Sequence, residues 1–352
     1  MVLSAARMKL PIAESNEGSR FNRVMAETVI ALVTVDMILA ELVHLNALDE
    51  LRVLAGLSVG SFGVWVLFAA YCYCRWRGEG LAKLGDISQL AVWSLLAIPA
   101  IYFLIPAAGR SSRPLVDSAL ARIDAGMHFQ TAAAVRLISQ LPLLRHALGI
   151  SYGLLPLLIL AAILVPTLFG RAVDSRRYVL AVIIAAVVTA ALFALWPAAG
   201  PWTVEGFAPN RAQVMVTDGL ALLKSSKPVP PDVQGGVVAF PSFHVVLAVL
   251  SVVALWNVRW ARWFAFVLGM LVCISTITTG WHYLIDVVGG LAVTYPAQAL
   301  ANRLLKTAPA TAAQGASRDD GEVRGQWPGV PGRVLQNEKQ NEKKREQTPV
   351  IE

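Results

Sequence analysis

The chain has 352 residues, of which 56% are hydrophobic and 15% are charged, and its mean hydropathy is +0.58. A soluble domain carries about 25% charged residues, so this composition excludes an ordinary soluble protein. The net charge of +7 is attributed to membrane topology, and nucleic acid is not expected as a partner.

The order of polar and apolar segments predicts a multi-pass membrane protein. Residues 1–24 are polar and basic, and no signal-peptide cleavage site ends the apolar run that follows, which indicates an uncleaved anchor. Eight apolar runs then approach the length of about 20 residues that crosses a bilayer. They are residues 25–45, 51–74, 88–108, 147–169, 178–196, 241–257, 260–279 and 283–301. The predicted fold is therefore all-α, with about eight transmembrane helices.

The basic residues predict the orientation of these helices. Arginines occupy the loops after the second, fourth and sixth runs, whereas the opposite short loops, 45–50 and 280–282, contain neither Lys nor Arg. Short loops rich in Lys and Arg stay in the cytoplasm. We therefore expect an inner (plasma) membrane protein with both termini in the cytoplasm.

Two longer segments lie on the predicted outer side. Residues 109–146 carry apolar residues at helical spacing, which predicts an amphipathic helix along the membrane surface. Residues 197–240 are rich in Pro and Gly and are expected to be irregular, as a candidate wall of a site. Asp36 lies inside the first run, where a packing or partner contact is favoured over a proton relay.

Two short motifs on the outer side carry the residues suited to chemistry. His282 and Asp286 are four residues apart, so they share one face of a helix, and the carboxylate can orient one imidazole nitrogen while the other attacks. Pro241 and Ser242 begin another apolar run, where free backbone N–H groups suit a bound phosphate. His244, just inside that run, is placed to protonate a leaving oxygen. A structural alternative stays open for each: Ser242 alone could be a helix N-cap, although phosphate contact is favoured.

Together these motifs resemble a known family. Pro241-Ser242-x-His244 and His282-x-x-x-Asp286 look like the second and third motifs of the type 2 phosphatidic acid phosphatase superfamily. The longer matches Phe-Pro-Ser-Phe-His and Gly-Trp-His-Tyr-Leu-Ile-Asp resemble the branch of inositol phosphorylceramide synthases (inositolphosphotransferases) and their bacterial relatives. The stretches 117–126 and 196–202 are also similar to that bacterial branch.

The resemblance also divides the chain into parts. It covers about residues 88–301, which would form a six-helix phosphatase-like core. Two additional transmembrane helices over 25–87 and a cytoplasmic segment over 1–24 would precede it. A disordered cytoplasmic tail would follow over 302–352.

The resemblance implies a reaction without metal or other cofactor. In it His282 would be the nucleophile that forms a phosphohistidine, Asp286 its orienting partner and His244 the general acid. Ser242 would bind the phosphate. Water or a lipid hydroxyl would then take the phosphoryl group.

The chain departs from the family pattern in its phosphate-binding cations. The superfamily usually has Ser-Arg before the third motif, but Ser275 and Thr276 stand at those positions, and the first motif has no clean match. Because phosphate transfer needs positive charge near the anion, another cation is expected. Lys224 is the first candidate and is also explained as an interfacial lysine. Arg211 and Lys227 are the alternatives.

The sequence thus predicts a membrane phosphatase that acts on a lipid phosphate or diphosphate at the periplasmic face. The alternative within the same chemistry is a phosphotransferase that moves a phospho-headgroup to a lipid hydroxyl. A protein that binds or transports lipid without turnover is the alternative from another class. The expected partners are the lipid phosphate substrate and membrane lipids.

Overall fold

The computed structural model describes residues 16–42, 62–225 and 238–306, and within these ranges every regular element is helical. The α-helices are α1 (Asn16–Leu42), α2 (Phe62–Arg77), α3 (Ala82–Gly109), α4 (Asp117–Gly126), α5 (Thr131–Ser139), α6 (Pro142–Gly153), α7 (Leu155–Leu168), α8 (Ala172–Leu195), α9 (Arg211–Lys224), α10 (Phe243–Leu255), α11 (Ala261–Thr278) and α12 (Leu284–Leu305).

Several of these helices are suited to crossing a bilayer. In the described part of the chain α3, α8, α11 and α12 are long and apolar enough, and α6 with α7 form a fifth span if the bent pair is counted as one. This confirms the expected all-α membrane protein. The count of eight spans stays a prediction. Neither α1 nor α2 is among these candidates, α10 is a shorter apolar helix, and residues 43–61 lie outside the described ranges. So do residues 1–15 and nearly all of the predicted tail, of which 302–306 complete or follow α12.

Three predicted segments differ from the structure. The single amphipathic helix over 109–146 is wrong, because α4, α5 and the start of α6 replace it, with a turn at His128 where φ is +56°. The run 147–169 is not one straight helix, since α6 and α7 meet at 44° beside Pro156, which has no N–H to donate. The Pro- and Gly-rich outer segment contains the ordered helix α9, which Asn210 and Gln213 begin with a reciprocal capping box.

A central core joins the first described helix to the later ones. Phe21 of α1, Leu90 of α3, Leu180 of α8 and Leu250 of α10 are fully buried in one apolar cluster. A second cluster links α10 and α11 to α7. This packing holds the start of α10 next to the start of α12, where both sequence motifs lie.

Polar side chains join the helix ends at one end of the bundle. Arg20 donates from Nε to the Leu304 carbonyl at 2.6 Å, which places the start of α1 beside the end of α12. Gln89 donates to Asn22 at 2.8 Å and accepts from Nε of Arg176 at 3.1 Å. Both histidine motifs lie at the N-terminal ends of their helices, α10 and α12. This is the other end of the bundle from Arg20, Arg176 and Leu304.

Candidate functional site

The structure brings the two predicted motifs together. His244 lies in the first turn of α10 and His282 in the loop before α12, and their ring centroids are 5.8 Å apart. The amide N–H of Ser242 donates to the main-chain carbonyl of Asp286 at 3.0 Å. A Cβ on Gly290 would lie 2.6 Å from the Ser242 carbonyl oxygen, so this approach of α10 to α12 requires glycine.

His282 is held in one tautomer by two acceptors on the same nitrogen. Its Nδ1 lies 2.9 Å from the Ala239 carbonyl oxygen and 3.3 Å from Oδ2 of Asp286. A carbonyl oxygen only accepts hydrogen bonds, so Nδ1 carries the proton and Nε2 keeps its lone pair. The side chain is buried, and burial lowers the pKa of His282 to about 4. The imidazole is therefore neutral at pH 7, as a nucleophile must be.

Asp286 takes the position that the sequence predicts, beside the His282 ring. Its Oδ2 also accepts the Tyr283 amide at 2.9 Å, which fixes the carboxylate at the first turn of α12. Oδ1 is buried and has no hydrogen-bond partner in the described part of the chain. His282 donates its shorter hydrogen bond to the main-chain carbonyl of Ala239, a residue outside the sequence motif.

Two aspartates of α4 support this end of α12 and were not among the predicted site residues. Asp124 accepts the amides of Leu284 at 2.7 Å and Ile285 at 2.9 Å, and burial raises its pKa. Asp117 accepts two amides of the turn after α8, and the Tyr283 hydroxyl donates to it at 3.2 Å. The match of 117–126 to the bacterial branch was the only signal for them in the sequence.

The loop that carries His282 is fastened on several sides. Gln213 of α9 donates to the Gly280 carbonyl at 3.1 Å, and the His282 amide donates to the Thr276 carbonyl at 3.1 Å. Gly280 has φ of +76°, and a Cβ there would lie 2.7 Å from the Phe207 ring. α9 and the segment around Phe207 thus hold the loop of His282 in position.

Ser242 lies at the N-cap position of α10 but does not cap it. Its side chain makes no cap hydrogen bond, and its Oγ is buried and has no hydrogen-bond partner among the described residues. The first amides of a helix also lack intrahelical acceptors. A hydroxyl and amide donors are therefore available together at this helix end, which is a suitable site for an anion.

His244 contacts a residue that the sequence analysis did not select. The Tyr152 hydroxyl lies 2.8 Å from Nε2 of His244, and the two rings stack with centroids 4.8 Å apart and an angle of 26°. Tyr152 lies one residue before the end of α6, where the bend to α7 begins. No local pattern in the sequence indicates this contact, because it depends on how α6 packs beside α10.

The predicted cation has other partners in the structure. Lys224 donates from Nζ to the carbonyls of Ser111 and Arg113, at 3.1 and 2.8 Å, and burial lowers its pKa. None of its described hydrogen bonds reaches Ser242 or either site histidine. Its role as a phosphate ligand stays a prediction, and Lys227 lies outside the described residues.

Ser275 and Thr276 stand where the superfamily usually has Ser-Arg, and the hydroxyls of both donate to carbonyls of their own helix. Ser275 donates to the Val272 carbonyl and Thr276 to the Cys273 carbonyl, each at 2.7 Å. In the described ranges no group of three or more His, Cys, Asp and Glu side chains is arranged to hold a metal ion.

The candidate site lies in a part of the chain that matches a known protein family. A family model described as the PAP2 superfamily matches residues 118–300, which include α5 to α11, most of α4 and α12 and both histidine motifs. The match begins after α3, so it does not cover the first 30 residues of the predicted core. No curated protein and no solved structure matches the chain.

Proposed function

The chain belongs to the PAP2 superfamily, and its membership supports a lipid enzyme of the phosphatase or phosphotransferase type. From this premise we propose that it hydrolyses a lipid phosphate or diphosphate through a phosphohistidine on His282. The observation that carries the proposal is the bond from Nδ1 of His282 to the Ala239 carbonyl, because it leaves Nε2 as the attacking atom.

The proposed reaction has two steps that balance in atoms and protons. In the first, Nε2 of His282 forms a bond to phosphorus, the bond from phosphorus to the leaving oxygen breaks, and His244 gives that oxygen a proton. In the second, water attacks the phosphohistidine, the phosphorus–nitrogen bond breaks, and His244 takes a proton from the water. Inorganic phosphate then leaves, and both histidines return to their starting state.

We assign phosphate binding to the start of α10. The amides at the start of α12 already donate hydrogen bonds to the carboxylates of Asp124 and Asp286, so they are not available to a phosphate. The buried Ser242 hydroxyl and the first amides of α10 are the donors that remain, and the helix dipole adds partial positive charge there. Lys224 remains our proposed additional cation.

The proposed orientation puts the site on the periplasmic face of the inner membrane with both termini in the cytoplasm. The start of α1 and the end of α12 share one end of the bundle through Arg20 and Leu304, and Arg176 lies at that end too. The histidines lie at the other end. A basic end in the cytoplasm agrees with the distribution of arginines between loops.

Phosphotransfer to a lipid hydroxyl, as in the inositolphosphotransferase-like branch, is the second candidate. The same phosphohistidine serves either acceptor, and only 3% of the His282 surface is exposed. Such a covered nucleophile limits entry of bulk water and so favours an acceptor that the protein itself binds.

The decisive experiment measures phosphate release from a panel of lipid phosphates and diphosphates by the purified protein in detergent. We expect His282→Ala to abolish release and phosphohistidine formation, and His244→Ala to reduce release by at least about 100-fold. His146→Ala, at an exposed histidine of α6, is the matched control. A wild type that neither releases nor transfers phosphate would leave a non-catalytic lipid-binding protein as the better account.

Two further measurements separate the remaining alternatives. Addition of ceramide, diacylglycerol or polyprenol, with analysis of the lipid products, distinguishes transfer from hydrolysis. For orientation, Arg211→Cys places a thiol at an exposed position on the site end, in a background without Cys72, Cys74 and Cys273. Labelling of intact cells by an impermeant thiol reagent is expected, and labelling only after lysis contradicts the orientation.

A further inference from the structure

The two site histidines have hydrogen-bond partners of different kinds. Nδ1 of His282 faces a carbonyl and a carboxylate, both of which accept, so its proton stays in place. Nε2 of His244 faces the Tyr152 hydroxyl, which both donates and accepts. The first arrangement suits a nucleophile with a fixed tautomer, and the second suits a group that gives up and recovers a proton.

We propose that Tyr152 is a positioning residue for His244 and that it makes this histidine an effective proton donor to the leaving oxygen. This inference rests on the proposed phosphohistidine reaction and adds to it a residue outside both motifs. Stacking at 4.8 Å fixes the plane of the imidazole, and the hydroxyl at 2.8 Å selects which of its two flipped orientations is held.

The hydroxyl can hold the ring in both protonation states. When His244 is protonated on both nitrogens, Nε2–H donates to the Tyr152 oxygen, and it still does so after Nδ1 has given its proton to the leaving oxygen. A carboxylate in this position would instead stabilise the charged imidazole and oppose transfer of its proton. Tyr152 therefore maintains the orientation of the ring through the step in which the proton leaves.

The test replaces Tyr152 by Phe, which keeps the stacked ring and removes the hydroxyl. Tyr178→Phe is the matched control, because Tyr178 is a buried tyrosine whose hydroxyl accepts a bond from Ser251 at 3.1 Å, outside the site. Each variant loses one tyrosine hydroxyl that has a side-chain partner, so a general effect of losing such a hydroxyl appears in both.

Substrates with different leaving groups distinguish positioning of the acid from a structural role. An alkyl lipid phosphate needs protonation of its leaving oxygen, whereas p-nitrophenyl phosphate leaves as a stable anion. We expect Tyr152→Phe to lower kcat for the alkyl substrate by about 10-fold or more, with less than about 3-fold loss for the aryl substrate. KM should change little, and Tyr178→Phe should affect both substrates equally.

A spectroscopic measurement tests the inference without turnover. The ¹⁵N resonance of His244 Nε2 in detergent micelles should shift in Tyr152→Phe and stay unchanged in Tyr178→Phe. An unchanged resonance overturns the inference even in a protein that hydrolyses nothing. Equal loss for both leaving groups, or none for either, overturns it while phosphohistidine formation still supports the proposed function.

Discussion

Replacing Asp286 by Asn separates two roles that an acidic partner can have for a nucleophilic histidine. Asn keeps the shape of the side chain, and its carbonyl oxygen can still accept the Tyr283 amide. The substitution removes the negative charge near Nδ1 of His282 and puts an NH₂ group at the buried position of Oδ1, which has no hydrogen-bond partner among the described residues. The Ala239 carbonyl, at 2.9 Å, continues to hold the proton on Nδ1.

The expected loss of phosphorylation rate in Asp286→Asn follows from this division of roles between Asp286 and Ala239. In a Ser-His-Asp triad the same change costs about 10⁴-fold, because the wrong tautomer forms. Here the tautomer is retained, and the loss is that of one charge 3.3 Å from a ring that becomes positive on phosphorylation. At this distance the Coulomb energy is about 5 kcal/mol for a dielectric constant of 20, and relaxation of the surroundings offsets part of it, which leaves about 2–3 kcal/mol. This corresponds to about a 30- to 160-fold loss of phosphorylation rate.

The assay is rapid-quench formation of phosphohistidine in Asp286→Asn, with Asp218→Asn at an exposed carboxylate of α9 as the control. A loss near 10⁴-fold would show that Asp286 alone sets the tautomer and would refute the role of Ala239. A loss below about 3-fold would show that the carboxylate does not stabilise the phosphorylated ring.

Three further predictions concern the residues around the nucleophile. Ser242→Ala should lower kcat/KM by about 10-fold, as expected for one lost hydrogen bond to a charged phosphate, and should leave the thermal midpoint unchanged because Oγ has no partner to lose. Asp124→Asn should lower the free energy of unfolding by about 2 kcal/mol, because its two oxygens accept separate amides and the new NH₂ group would face one of them; thermal unfolding in detergent measures it. For His282, the folded pKa of about 4 lies below the ordinary 6.5, so the unfolded chain binds more protons between these values. Acidification from pH 6.5 to 4 should therefore destabilise the wild type by about 3 kcal/mol more than His282→Asn.

Each of these predictions has an outcome that contradicts it. A lower thermal midpoint in Ser242→Ala would indicate that the hydroxyl has a structural partner. An Asp124→Asn variant as stable as the wild type would remove this residue from the support of α12. Parallel pH dependence in the wild type and His282→Asn would show that the imidazole titrates as if exposed.

Local patterns predicted most helices and the pairing of the two motifs. Hydropathy located both ends of α11 to within one residue, the end of α12 to within four and the start of α8 to within six, because membrane helices consist of continuous apolar runs. The spacing of His282 and Asp286 predicted that they share one helix face. They do lie side by side, but His282 is in the loop before α12, so the helix face is not the reason. The Pro-Ser pair located the start of α10. These features depend on near neighbours in the chain, so one sequence contains enough information to find them.

The remaining site residues depend on contacts between distant segments. Asp117 and Asp124 accept hydrogen bonds from groups that are 82 to 166 residues away in the sequence. Tyr152 is 92 residues from His244. Ala239 contributes a carbonyl, which any residue type would provide. Nothing in their local sequence indicates these partners, and the interruption of the outer segment into α4, α5 and α6 depends on the same packing.

The bond between Arg20 and Leu304 has a consequence for biogenesis. The ribosome delivers α1 to the membrane first and α12 last, so this contact cannot form until translation of the helical core is complete. The loop that carries His282 and the first turn of α12 also emerge late. Asp117 can already accept the Ala199 and Gly200 amides by then, whereas Asp124 has to wait for the amides of Leu284 and Ile285. Insertion of α12 therefore both joins the start of α1 to the end of α12 and completes the candidate site, so a chain that is truncated before α12 has neither.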